Sequence, residues 1–333
     1  MPHLIRYPPR SSTAQLTHYQ SVYKFATALT VPFVLSIAWF WSLTGGDLAN
    51  VQAGDLLPNL YLLILILAFI VPIKHLPRFG RARFISTFKR ISIGGLAKQD
   101  DGKFGDVLLA DALTSYAKPL SEVYVTLCML WHGQHTTGRP DRTCGGTFMV
   151  PFIMCVPFLI RFRQCVSDHQ LANALKYATA FPAILLSAVQ RDAEAVGVSH
   201  ASLHRMWMLA VLTNSLYSFY WDVARDWDLT LFSGSRHDPE HPYGLRRIRL
   251  LGSPTFYYIV IVLDLLLRCS WSIKLSVHLE HFNDVEGGIF VLEILEIFRR
   301  WMWAFFRVEA EFLRARASGD LLLDDLGPKI DGD

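Results

Sequence analysis

The sequence predicts an all-α fold: a polytopic transmembrane helical bundle of about eight spans. Three observations predict it. The 333 residues are 52% hydrophobic and only 18% charged, with a mean hydropathy of +0.27, whereas soluble domains carry about 25% charged residues. The aromatic load is heavy, with 22 Phe and 9 Trp. Apolar runs near the roughly 20 residues needed to cross a bilayer core recur along the chain.

The first two runs are clean. Phe25–Thr44 is nearly free of charge, and Leu56–Ile73 is the most hydrophobic stretch of the chain. The opening decapeptide MPHLIRYPPR is polar and basic, and the first run is too long and too late for a cleavable signal, so it predicts a retained anchor. Six further segments follow, at Val107–Trp131, Phe148–Ile160, Leu171–Val189, Met206–Trp221, Phe256–Ile273 and Gly287–Val308. Phe148–Ile160 is short and needs its flanks to reach across.

Eight spans put both termini on one side. The segments 74–105, 161–170 and 222–255 hold most of the loop Lys and Arg, including Arg161, Arg163, Arg246 and Arg249, while 45–55 and 278–286 hold none. The positive-inside rule then makes the basic loops and both termini cytosolic. The expected organisation is a cytosolic N-terminus over 1–24, a transmembrane domain over 25–316, and an acidic disordered tail over 317–333.

Several function classes are excluded. The net charge of +3 is small and gives no basic face for nucleic acid. There is no P-loop, GxSxG or HExxH, so no enzyme is expected. The five cysteines show no CxxC or Cys/His spacing for zinc and no visible disulfide framework. Neither a metal nor a cofactor is expected.

The informative residues are ionisable ones inside apolar runs: Asp111, Lys118 and Glu122; Lys176; Asp222 and Asp226; Asp264 and Arg268; Glu293, Glu296, Arg299 and Arg300. Each costs at least about 2.5 kcal/mol at mid-bilayer, so each faces the bundle interior and marks a pathway or a helix-to-helix lock. Asp264 and Arg268 share a face at i, i+4 and can simply pair. Arg299 and Arg300, however, point about 100° apart, so one acid does not readily satisfy both. A buried cluster with spare guanidinium donors suits a tetrahedral oxyanion.

Six stretches resemble the EXS family in one order: FGDVLLADALTSY (104–116), RFRQC (161–165), NALKYATAFP (173–182), YWDVARDWDL (220–229), VLDLLLRCSWSIKLS (262–276) and LEIFRRWMWAFFRVEAEF (295–312). The resemblance implies an all-helical phosphate exporter, usually a homodimer. It further implies phosphate-lining residues at Asp111, Thr114, Lys176, Tyr177, Asp222, Arg268, Trp271, Arg299 and Arg300. Arg268, Arg299, Arg300 and Lys176 would bind the anion, Tyr177 and Thr114 would donate hydroxyls, and the two Asp would orient cations or accept phosphate protons. Trp271 would pack or gate. Lys118 adds a cation that the family pattern lacks, and Ala112 replaces a usual Gln.

About 24 residues precede the first run, so the regulatory SPX domain of long family members is expected to be absent. The short architecture resembles fungal Golgi-type members. It implies export of inorganic phosphate from the Golgi lumen to the cytosol, recycling the by-product of glycosylation. The alternative is a non-transporting membrane protein that retains Golgi glycosyltransferases, directly or through sorting adaptors.

Overall fold

A computed structural model describes residues 19–70, 78–94, 103–195, 201–234, 241–270 and 286–325. Among these residues the regular structure is helical throughout. The helices are α1 (Tyr19–Thr44), α2 (Leu48–Ala53), α3 (Leu56–Ile70), α4 (Arg78–Lys89), α5 (Lys103–Ser115), α6 (Ala117–Trp131), α7 (Met149–Ser167), α8 (Leu171–Ala178), α9 (Ala180–Ala195), α10 (Ala201–Trp221), α11 (Pro254–Arg268) and α12 (Glu286–Asp325). Within the described residues, each expected apolar segment falls on a helix or a helix pair. By length and composition alone, Ala26–Thr44, Ala49–Leu67, Met149–Ser167 and Leu171–Gln190 are able to cross a membrane.

The outward faces carry large apolar side chains. Leu35 is 63% exposed, Trp41 67%, Leu209 64% and Leu266 63%. In water so much contiguous apolar surface is a liability, whereas in lipid it is the contact face. Helix association then depends on packing and interhelical polar contacts rather than on hydrophobic burial. The largest packed cluster joins the end of α10, the 241–253 segment, α11 and α12 through Trp227, Leu245, Tyr257, Trp303 and Phe306. Ser253 caps α11, accepting from the Phe256 amide at 3.4 Å, with Pro254 at the first helical position.

Two expected spans are broken helices. The third divides at Tyr116 and the fifth at Thr179. The cause is local. Pro119 sits four residues after Ser115, and Pro182 four after Ala178, the last residues of α5 and α8. A proline lacks the amide for the i−4 carbonyl and its ring clashes with it. Pro32 and Pro157 lie inside helices that continue, so proline alone does not decide a break.

Other expectations are corrected. α7 runs to Ser167, so Arg161 and Arg163 lie on a helix and not in a 161–170 loop. A 13-residue run is too short to cross, and its flank completes the helix. The 222–255 segment is not simply a solvated basic loop either: Arg246 is buried and donates to Glu309 of α12 at 2.5 Å. Glu309 also accepts from the Leu250 amide and the Tyr257 hydroxyl, each at 2.5 Å. The tail expected to be disordered from 317 continues α12 to Asp325, with helix formers such as Leu321–Leu323 extending the pattern. Residues 1–18 and 326–333 lie outside the described set.

The cysteine reading is also corrected. Cys128 at the end of α6 and Cys144 in the following loop form a disulfide with Cα atoms 6.1 Å apart. Spacing alone hides it, because pairing depends on the loop folding back. Tyr124 Oη donates to the Cys144 carbonyl at 3.4 Å. Gly145 beside it has φ +77°, and a Cβ there would collide with Tyr124 Oη, so Gly145→Ala is expected to displace the loop, read as faster proteolysis between 132 and 148. Cys128→Ser removes a closure spanning 16 residues, worth about 3 kcal/mol in the chain-entropy account. The expected result is a lower Tm in detergent, checked against intact mass under non-reducing conditions. An unchanged Tm would show that other contacts hold the loop.

The loops group onto two ends. At one end, Thr136 of the 132–148 loop donates to Asp55 through its amide (2.9 Å) and hydroxyl (2.5 Å), joining that loop to the α2–α3 turn. At the other, Lys103 pairs with Asp168 at 2.8 Å and Arg90 pairs with Asp106.

Candidate functional site

Both breaks and one irregular turn converge on a single buried network. α5 stops where Thr114 and Ser115 face α12, and α8 stops just past Lys176 and Tyr177. In each case a Thr hydroxyl turns back on a carbonyl three residues earlier, Thr114 to Asp111 and Thr179 to Lys176, both at 2.7 Å. α10 ends in a π-turn, Asp222–Asp226, in which the Trp227 amide reaches back to the Asp222 carbonyl at 2.8 Å. Sites built on interrupted helices at mid-membrane are a recurring arrangement in transporters, and π-turns frequently mark functional positions.

Asp222 is fully buried and is the hub. Its Oδ1 accepts from Lys176 Nζ at 3.0 Å, and its Oδ2 accepts from Arg268 and, at 3.4 Å, from Arg299. Lys176 also reaches Asp226 at 3.2 Å. Arg268 pairs with Asp264 at 3.2 Å, as the i, i+4 spacing allowed. Arg299 further contacts Asp264 at 3.3 Å and Glu296 at 2.6 and 2.9 Å. Asp222 and Asp226, at the end of α10, are therefore buried partners of the cations.

Asp111 forms the other wing. Arg161 Nε donates to its Oδ1 at 2.6 Å, and the Tyr177 hydroxyl donates to the same oxygen. Gln164 accepts from Arg161 at 2.8 Å. The two wings meet where Lys176 lies over the Tyr177 ring at 5.5 Å.

Arg300 differs from the other cations. Its Nε donates to Ser115 Oγ at 2.8 Å and its Nη2 to Thr114 Oγ1 at 3.1 Å. Ser115 in turn donates to Glu296 at 2.7 Å. The guanidinium lies over Trp303, 4.6 Å from the ring centre. Arg300 is buried, its Nη1 has no hydrogen-bond partner, and it makes no ion pair with a carboxylate among the described residues. The adjacent Arg299 turns instead to Asp222, Asp264 and Glu296, which is the divergence expected of consecutive helical positions.

Eight of the nine expected site residues thus fall in one connected network, and Trp271 lies outside the described residues. The hydroxyls of Tyr177 and Thr114 both turn to Asp111, Tyr177 to its carboxylate and Thr114 to its backbone carbonyl. Arg161, Gln164 and Ser115 belong to the network and were missed. The signal for Arg161 was present: a run too short to cross must continue into RFRQC. The one grouping of metal-type ligands found among the described residues is Cys128, His132 and Cys144, and its two sulfurs are bonded to each other.

The network can hold or exchange an anion. Asp222 concentrates Lys176, Arg268 and Arg299 on one carboxylate, and Arg300 keeps a donor in reserve. The comparisons point the same way as the six motifs. The EXS family matches residues 2–313. Protein ERD1 homolog 2 of Schizosaccharomyces pombe is 33% identical over 309 residues, covering 88% of this chain and 76% of that protein. Protein ERD1 homolog 1 of the same yeast is 32% identical over 261 residues, covering 74% and 67%. Human Solute carrier family 53 member 1 is 27% identical over 236 residues, covering 63% of this chain and 33% of the human protein. With the family matched over nearly the whole length and two yeast relatives above 30% identity, this chain belongs to the EXS family.

Proposed function

We propose that the protein carries inorganic phosphate across a membrane through the buried cation network, as a transporter and not an enzyme. Arg300 carries the reading. A buried guanidinium with hydroxyl partners, no carboxylate within ion-pair distance among the described residues and an unpaired Nη1 is costly unless an anion visits it. Arg presents a fixed fork suited to phosphate oxygens, and Lys176 adds a point charge. The carboxylates that neutralise the other cations keep the site from holding phosphate too tightly for release. An incoming phosphate would displace Asp222 or Glu296 oxygens from Arg268 or Arg299, with Ser115 and Thr114 as hydroxyl partners.

The proposed topology has eight crossings with both termini cytosolic, and the proposed direction is Golgi lumen to cytosol. The Cys128–Cys144 disulfide supports placing the 132–148 loop in an oxidising lumen. The Golgi location and the homodimer rest on resemblance to short fungal members. A second reading is favoured by the closure of the ion pairs around Asp222. On it, the network locks helices together and the protein retains Golgi glycosyltransferases.

The test is uptake of labelled phosphate into liposomes holding the purified chain, with sulfate as competitor. Saturable uptake is expected, inhibited more by excess phosphate than by sulfate. Absence of uptake under either gradient direction, from monodisperse protein, would leave the retention reading.

A further inference from the structure

Beyond the inner network a second charged group lies toward the disulfide-tethered loop. α12 places its members in register with α5 and α6. Ser115 contacts Glu296 and Arg300, and three residues later Lys118 contacts Glu293 at 3.8 Å. From Arg300 to Glu293 the rise along α12 is about 10 Å. Lys118 also pairs with Glu122, and Glu122 Oε1 accepts from Arg142 Nε of the 132–148 loop at 3.0 Å. The Lys118, Glu122, Arg142 and Glu293 side chains are 17–29% exposed, whereas Asp222 and Arg299 are closed off. The group therefore lies nearer the surface than the buried network.

Arg142 is not a loose surface arginine. It stands two residues before Cys144, whose disulfide anchors the loop to α6, and Thr136 anchors the same loop to Asp55. Two cations from separate elements thus converge on one carboxylate oxygen. A phosphate oxygen has the same charge and hydrogen-bond capacity at that point.

We propose that Lys118 and Arg142 form an outer phosphate station, in which inorganic phosphate takes the place that Glu122 Oε1 holds between them before passing down α12 to Arg300. This rests on the transport reading above. It assigns a role to Lys118 and makes Glu122 the resident competitor whose return releases the ion inward.

The experiment measures phosphate KM from each face of the membrane in proteoliposomes of known orientation, for the wild type, Lys118→Gln, Arg142→Gln and Glu122→Gln. Neutralising either cation is expected to raise KM about tenfold at the loop face, and by much less at the other face. Glu122→Gln is expected to lower KM at the loop face several-fold, because it removes the charged oxygen that the two cations share. A KM that shifts equally at both faces, or that rises in Glu122→Gln as in the other two, would overturn the station while leaving the inner site intact. If either cation variant fails to fold, the sign of the Glu122→Gln shift decides. No saturable flux in the wild type would overturn the transport reading, and the station with it.

Discussion

Arg300→Gln is expected to yield a folded protein whose phosphate flux is reduced at least about tenfold. The two halves of that expectation have different causes. Folding survives because Arg300 pairs with no carboxylate among the described residues; removing it strips donors from Thr114 and Ser115, while Ser115 keeps Glu296 and Thr114 keeps the Asp111 carbonyl. Flux fails because the variant removes a charged donor whose Nη1 is open. A charge-assisted hydrogen bond is worth about 1.5–3 kcal/mol, and each 1.4 kcal/mol is about tenfold in affinity. Arg300→Lys should recover part of the flux, as a point charge without the planar fork. Labelled phosphate uptake beside a size-exclusion profile reads both halves. Wild-type flux in a monodisperse Arg300→Gln protein would remove Arg300 from the pathway.

Asp222→Ala should behave in the opposite way, losing stability first. Three cations share this fully buried carboxylate, and its removal leaves Lys176 with Asp226, Arg268 with Asp264, and Arg299 with Asp264 and Glu296. Breaking a buried ion pair costs up to about 3–5 kcal/mol; each cation here keeps a second carboxylate, but the acceptor that holds all three together is lost. The expected result is a marked fall in Tm in detergent and poor recovery of folded protein. An anion then becomes informative. If the vacated position is an anion site, millimolar phosphate should raise the Tm of Asp222→Ala more than that of the wild type, since ligand binding to the folded state stabilises it by mass action. A Tm loss that phosphate and sulfate leave untouched would mark Asp222 as a lock alone.

Placed side by side, the two substitutions separate function from architecture within one network. A pure helix lock predicts that both act through stability. A transport site predicts that Arg300 acts on flux at little structural cost, while Asp222 acts on both and answers to added anion.

The membrane class and most charged members of the candidate site were legible in the sequence because both follow from local composition, while Thr114 and Tyr177 came from the EXS resemblance. A run such as Leu56–Ile73 has few alternatives to a helix in lipid, and a charge such as Asp111 or Arg299 within such a run must turn inward. The EXS motifs named the same positions. What remained hidden is set by partners distant along the chain. Arg300 meets Ser115 across 185 residues, and Lys176 meets Asp222 across 46. Hydropathy ended the fourth span at Ile160 and put Arg161 in a loop, whereas its pairing with Asp111 inside the bundle decides its position. Cys128 and Cys144 read as small apolar residues until the loop folded back to join them. Pro119 and Pro182 were visible, but so were Pro32 and Pro157 in helices that continue. The sequence by itself determined that the chain is a polytopic helical membrane protein and which charges are too costly to leave unpaired in an apolar run. Only the tertiary structure decided which cation meets which carboxylate, and that Arg300 meets none among the described residues, because pairing depends on helix packing that no local window contains.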